Sequence, residues 1–130
     1  MKRLLSLLVI ALFAFPLAAQ AQSSSVPAAV KIAKTADSSM FTDAKGMTLY
    51  VYDPDTAGKS VCNGPCATSW PPLLAPAGAV ASGKYTVVTR DDGSMQWAYD
   101  GKPLYGWKND KQPGDTTGDG VGGKWHTAKP

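Results

Sequence analysis

The residues with chemistry to offer are few. Cys62 and Cys66 are the only cysteines and stand as C-x3-C, His126 is the only histidine, and all 10 acidic residues are Asp. Three kinds of chemistry are open to the cysteines. A tight turn can bring them within bridging distance for a disulfide. They can act as a reversible thiol pair, although that motif usually has two intervening residues beside a βαβ unit. They can also offer thiolates to copper or another soft metal, with His126 or a methionine. One histidine cannot supply a multi-His zinc site, and a Ser-His-Asp triad is defined by geometry rather than composition. His126 is therefore expected to be exposed or held by a hydrogen bond. These residues imply no cofactor.

A second group combines carboxylates with aromatic rings. Tyr50, Tyr52 and Asp55 recur later as Tyr105, Trp107 and Asp110. Alternation along a strand puts each aromatic pair on one face. Asp55 and Asp110 follow the strand, where a carboxylate can accept backbone N–H bonds in a turn. One reading is an aromatic core with a turn-fixing Asp, repeated because the fold is repeated. The other is a small-ligand cleft of rings and carboxylates, with Asp55 and Asp110 facing each other across an internal twofold. Acid–base catalysis by such a pair needs one raised pKa and a fixed separation, which a sequence does not show. Asp110, Asp115 and Asp119 lie in a Gly-rich arm. Such spacing can suit Ca²⁺, but neither this arm nor Asp53–Gly64 meets the EF-hand pattern, and an Asx-turn loop is expected. Gly58-Lys59-Ser60 ends like a phosphate loop, but position 53 is Asp where that motif needs Gly.

The elements that must position these residues come as a repeat. A shift of 55 residues lays Asp37 on Asp92, Ser39 on Ser94, Met40 on Met95 and Gly46 on Gly101. It also lays Leu49 on Leu104, Tyr50 on Tyr105, Asp55 on Asp110 and Trp70 on Trp125, giving 8 identities across 26–75 against 81–130. In the second copy Tyr85–Arg90 is β-branched and aromatic, Asp91-Asp92-Gly93 is a turn, and Met95, Trp97 and Tyr99 alternate with Gln96 and Ala98. Asp100-Gly101 is a hairpin signal, and Leu104–Trp107 reads as the third strand. The first copy repeats this with Val30–Lys34, Met40–Asp43 and Met47–Tyr52. One three-stranded meander is marginal by itself. The fold expected is therefore mainly β: two pseudo-symmetric meanders packed into one small sandwich or half-barrel. Leu49, Tyr50, Trp70, Leu104, Tyr105 and Trp125 are expected near the joint core. The expected helix is a single turn around Cys66–Trp70, stopped by Pro71-Pro72.

The chain of 130 residues, with 13 Gly and 10 Pro, is a poor candidate for a helical bundle. Its net charge of +3 offers no basic stripe for nucleic acid. Met1-Lys2-Arg3, an apolar run from Leu4 to Leu17, and Ala19-Gln20-Ala21 form the three parts of an export signal. The run is short for a membrane span. Cleavage after Ala21 is expected to leave a single domain, 22–130, made of repeats 26–75 and 81–130. Losing Lys2 and Arg3 takes the net charge from +3 to +1. Export favours the disulfide reading of Cys62 and Cys66. Those cysteines fall on Thr117 and Val121 of the second copy, so the bridge is an addition to one half.

Several segments resemble a known family. They are Gly46–Asp55, Leu104–Asp110, the cysteine segment Ser60–Leu73, the block Asp92–Tyr105 and the tail Pro113–His126. Together they are similar to the bacterial secreted repeat of unknown function, often labelled a predicted lipoprotein, with its Y-x-[FWY]-x-x-D motif. The resemblance implies an exported protein but no particular activity. The chain departs from the lipoprotein label in having no cysteine near the expected cleavage site.

The function expected is that of an exported cell-envelope module, periplasmic or secreted. It binds an envelope partner or small ligand at the repeat junction, through Tyr50, Tyr52, Asp55, Trp70, Tyr105, Trp107, Asp110 and Trp125. The reading leans against an enzyme and against a transmembrane segment after cleavage. The alternative is a periplasmic copper-binding or thiol-redox accessory centred on Cys62 and Cys66, with His126.

Overall fold

Gly and Pro cut the chain into short strands, as a polypeptide rich in turn-forming residues must be. The computed structural model describes residues 11–14 and 26–130. The expected cleavage point after Ala21 and most of the export signal lie outside the described residues. Among the described residues no helix is long and apolar enough to cross a membrane.

The elements run β1 (Val30–Lys34), β2 (Ser39–Asp43), β3 (Tyr50–Tyr52), α1 (Pro65–Ser69), β4 (Tyr85–Thr89), β5 (Met95–Tyr99), β6 (Lys102–Pro103), a 3₁₀ turn (Val121–Gly123) and β7 (Trp125–Thr127). The protein is thus mainly β and built as two repeats of strands, in small sheets that do not close. α1 starts on Pro65, where a missing N–H costs nothing, and ends before the two prolines. It lies one residue earlier than the sequence suggests.

β4, β5 and β6 form an antiparallel meander. The β5–β6 turn has positive φ at Asp100 (50°) and Gly101 (79°), as a two-residue turn matching strand twist requires. In the first copy β1 pairs β2, and a bridge from Thr42 to Thr48 extends the ladder. The third strand of the second copy, expected at Leu104–Trp107, is regular in its own sheet only just before that segment, at Lys102–Pro103. Leu104 still donates to Trp97, and from Tyr105 onward the chain bonds to the other repeat.

The internal match needs one correction. β1 opposite β2 pairs Ile32 with Phe41, while β4 opposite β5 pairs Val87 with Trp97. Phe41 therefore corresponds to Trp97, an offset of 56, and Met40 corresponds to Gln96 rather than Met95. The second copy carries one more residue in its first hairpin loop and one fewer in its second. The ungapped shift survives on both sides but slips by one within β2 and β5. A one-residue slip exchanges the faces of a strand, so the Ser39 and Met40 identities are not structural equivalences.

The halves join by exchange. Tyr50 and Tyr105 donate backbone N–H bonds to each other's carbonyls at 2.8 and 3.0 Å. β7, from the second repeat's arm, pairs with β3 of the first. The first repeat's arm runs beside Leu104–Lys108 in the same way, through the bonds from Gly106 to Pro71 and Lys108 to Ser69. Each arm then completes a ring of three backbone bonds in the opposite meander. Leu49 donates to Phe41, Phe41 to Ala128, and Ala128 to Leu49; Leu104 donates to Trp97, Trp97 to Leu73, and Leu73 to Leu104. Strand alternation splits the interior into two clusters. Leu49 and Leu104 face one with Phe41 and Trp97, while Tyr50 and Tyr105 face another with Cys62, Trp70 and Trp125.

Candidate functional site

The tyrosines and aspartates of the repeated motif bond reciprocally across the two halves. The Tyr50 hydroxyl donates to Asp110 Oδ2 and the Tyr105 hydroxyl to Asp55 Oδ2, both at 2.6 Å. Short distances of this kind mark charge-assisted bonds. Burial, followed by the carboxylate partner, pushes each phenol far above its ordinary range. Burial also raises the Asp55 pKa, against the lowering effect of the Tyr105 hydroxyl, the Val61 N–H and Arg90. The carboxylates do fix turns, as their position after the strand suggests: Asp55 Oδ1 accepts the Val61 N–H, and Asp110 Oδ1 accepts the N–H and hydroxyl of Thr117.

Between these bonds lies a column of four rings. Trp107 stacks on Trp70 with centroids 3.9 Å apart, Trp70 on Trp125 at 3.8 Å and 4°, and Trp125 on Tyr52 at 4.2 Å. The two inner rings are buried and the two outer ones half-buried. Tyr50 meets the column edge-on at Trp70, and Tyr105 meets it edge-on at Trp125. All eight residues expected at the repeat junction thus come together. Most of their polar atoms bond within the protein, and Tyr52, Asp55 and Trp107 keep partial access to solvent.

The surroundings of the two tyrosines differ. Beside Tyr105, Arg90 is buried and donates to Ser60 Oγ, Gln96 Oε1 and the Cys62 carbonyl at 2.7–2.9 Å. Ser60 in turn lies 2.6 Å from the Tyr105 hydroxyl. Cys62 and Cys66 form a disulfide over this network. Beside Tyr50 the backbone N–H of Gly118 donates to the hydroxyl, and a Cβ on Gly118 would lie 2.9 Å from the rings of Trp70 and Tyr50. Nothing in the sequence marks Arg90 or Gln96 for this network, and Ser60 stands out only in the phosphate-loop fragment Gly58-Lys59-Ser60 and at the head of the cysteine segment. Period-two alternation sets Gln96 and Ala98 on the face away from Trp97, yet β5 buries Gln96, Trp97 and Ala98 alike.

His126 lies elsewhere. Its Nε2 is 2.8 Å from Asp53 Oδ2, and both side chains are about half exposed (47% and 56%). The pair sits in a cleft of about 440 Å³ beside β3, with Lys84, Lys102 and Lys129 also on its walls. A second hollow of about 240 Å³ shares Val51, Asp53, Asp100 and Lys102 with the first and reaches Tyr52 and Asp55. The pseudo-symmetric face carries a hollow lined by Met47, Leu49, Pro71, Pro72 and Leu73 beside Trp107. Among the described residues no three His, Cys, Asp or Glu side chains gather as metal ligands. In the Gly-rich arm, Asp115 accepts the N–H groups of Lys111 and Gln112, and Asp119 that of Thr127.

Fold and junction define a β protein of two exchanged repeats. A family model described as a secreted repeat of unknown function matches residues 31–74 and 86–129, more than half of the chain. The chain belongs to that family and is an exported protein. Comparison with curated proteins and with solved structures gives no match.

Proposed function

We propose that the chain is a non-enzymatic binding module of the cell envelope, periplasmic or secreted, and that its ligand surface is the double cleft along β3. One observation carries this reading. The groups that the repeat needs twice are consumed in the junction, whereas the cleft's polar groups have no copy in the other half. Asp53 corresponds to Lys108, His126 to Pro71, Lys102 to Met47 and Lys129 to Leu74. Residues that the fold does not require twice are free to serve recognition. A concave site with a few convergent polar groups is the usual form of a small-ligand pocket. The larger cleft carries Lys84, Lys102 and Lys129 against Asp53 and Asp100, which favours a small anionic ligand, with Tyr52 at the wall of the adjoining hollow.

The test is an amide NMR titration with inorganic phosphate, citrate and a short acidic glycan. Saturable shifts at Lys102, His126 and Thr127, lost in His126→Ala with Lys102→Ala, are expected. Shifts absent from this cleft, or unchanged in the variant, overturn the proposal.

The alternative, a copper-binding or thiol-redox accessory using Cys62 and Cys66, draws its support from the disulfide. The support is thinner, because Cys62 is fully buried and His126 is engaged by Asp53 on the cleft wall. Reactive redox cysteines are usually partly exposed.

A further inference from the structure

The four-ring column does more than a core requires. Buried aromatic pairs commonly settle edge-to-face or offset, and Phe41, Tyr85 and Tyr99 in the other cluster do so, at interplanar angles of 56–70°. In the column three successive contacts lie within 26° of parallel, with centroids 3.8–4.2 Å apart. Both outer rings reach the surface, Tyr52 at the hollow that also holds Asp55 and Trp107 at the opposite hollow. Each inner tryptophan touches a buried tyrosine whose hydroxyl already points at a carboxylate.

We propose that this column conducts one-electron oxidation from the surface to Tyr50 and Tyr105, where the oxidising equivalent is held as a neutral tyrosyl radical. The external reactant is a one-electron oxidant such as an oxygen-centred radical. It takes an electron from the indole of Trp107 and becomes its reduced anion. Trp70 refills Trp107, and Tyr50 refills Trp70. As the electron leaves Tyr50, its O–H bond breaks and the proton passes to Asp110 Oδ2, forming the acid. The sum is oxidant, Tyr50 phenol and Asp110 carboxylate going to reduced oxidant, Tyr50 oxyl radical and Asp110 carboxylic acid, with charge balanced. The second route runs from Tyr52 through Trp125 to Tyr105, with Asp55 taking the proton. The contact between Trp70 and Trp125 joins the routes.

Burial explains why the equivalent settles on the tyrosines. An indole radical cation held in a dry interior carries an uncompensated charge, which is costly. Moving the proton along an existing bond leaves a neutral radical beside a neutral acid, so a buried carboxylate charge disappears. The raised pKa of Asp55 suits it as the proton acceptor.

Flash-generated ruthenium(III) tris-bipyridine, a soluble one-electron oxidant, tests this on the exported chain, with freeze-quench electron paramagnetic resonance as the readout. Wild-type protein is expected to give a tyrosyl signal. The signal is expected to fall sharply in Tyr50→Phe with Tyr105→Phe, which lack the store and keep only Tyr52, Tyr85 and Tyr99 to be oxidised. It is also expected to fall sharply in Tyr52→Phe with Trp107→Phe, which retain both buried tyrosines but lack oxidisable ends. The second pair alters only half-buried rings and decides the question if the first pair fails to fold. A tyrosyl signal undiminished in the Tyr52→Phe, Trp107→Phe protein overturns the proposal, as does one undiminished without Tyr50 and Tyr105.

Discussion

The two halves carry the same tyrosine–aspartate bond and support it by different means. Around Tyr105 the support is polar: buried Arg90, Gln96 and Ser60, under the loop closed by Cys62 and Cys66. Around Tyr50 it is steric: Gly118 lets the backbone approach the rings, and Thr117 holds the far oxygen of Asp110. The repeat therefore demands the cross-bond and leaves each copy to solve its surroundings. The outer faces diverge as well, one toward lysines and His126, the other toward prolines and leucines.

Arg90 gives the sharpest way to break the polar half. Arg90→Met strips charged donors from Ser60, Gln96 and the Cys62 carbonyl and leaves them buried. Unsatisfied groups of this kind cost enough that about 3 kcal/mol of stability should be lost. The corresponding position in the first copy is the exposed Thr35, where Thr35→Met should change stability by only about 0.5 kcal/mol. Urea unfolding of both variants measures the contrast, and equal losses would remove the assigned role of Arg90.

The disulfide comes next. It closes a five-residue loop, for which chain entropy gives about 2 kcal/mol. Cys62→Ser with Cys66→Ser should lose at least that, and a reductant should lower the wild-type melting temperature in parallel. The counterpart test is Thr117→Val, which removes one of three bonds to Asp110 and should cost about 1.5 kcal/mol. Calorimetry of the two variants ranks a covalent staple against a hydroxyl at matching places in the repeat.

Gly118 is the weak point of the steric half. Gly118→Ala must displace Trp70 or Tyr50, and overpacking at a rigid contact costs about 1–3 kcal/mol. Asn63, its counterpart, is exposed, so Asn63→Ala should cost about 0.5 kcal/mol. If Gly118→Ala unfolds in urea like wild type, the column is softer than its geometry implies.

The sequence was informative where chemistry and symmetry coincide. The core at Leu49, Tyr50, Trp70, Leu104, Tyr105 and Trp125 followed from identities at large residues, and all six are buried. The Asp100-Gly101 turn followed from the backbone freedom of Gly. The exchange of arms did not, because the ring at Phe41, Leu49 and Ala128 consists of backbone bonds that any residue can make. The slip in β2 and β5 was masked by loop changes that cancel. Arg90 stands in the sequence only as the last residue of a strand segment, and nothing near it announces the Ser60 and Cys62 acceptors. His126 and Asp53, 73 residues apart, were brought together by β7 pairing with β3.

The smallest expected effect separates the halves by pH. Burial raises the Asp55 pKa, so the folded state takes up a proton before the unfolded chain does. Stability contributed by this group therefore rises as pH falls through its folded value toward its ordinary one. The exposed Asp91 and Asp92 act in the opposite sense. Bonds from Lys59 to Asp91 and from Ser94 to Asp92 lower their pKa values, so their contribution is present above the ordinary range and fades as pH falls through the folded values. Carboxyl-carbon NMR should show Asp55 titrating above Asp91 and Asp92, and Asp55→Asn should remove only the rise. If Asp55 titrates together with the exposed pair, its side of the junction is wetter than the Arg90 network implies, and the two halves differ less than their side chains suggest.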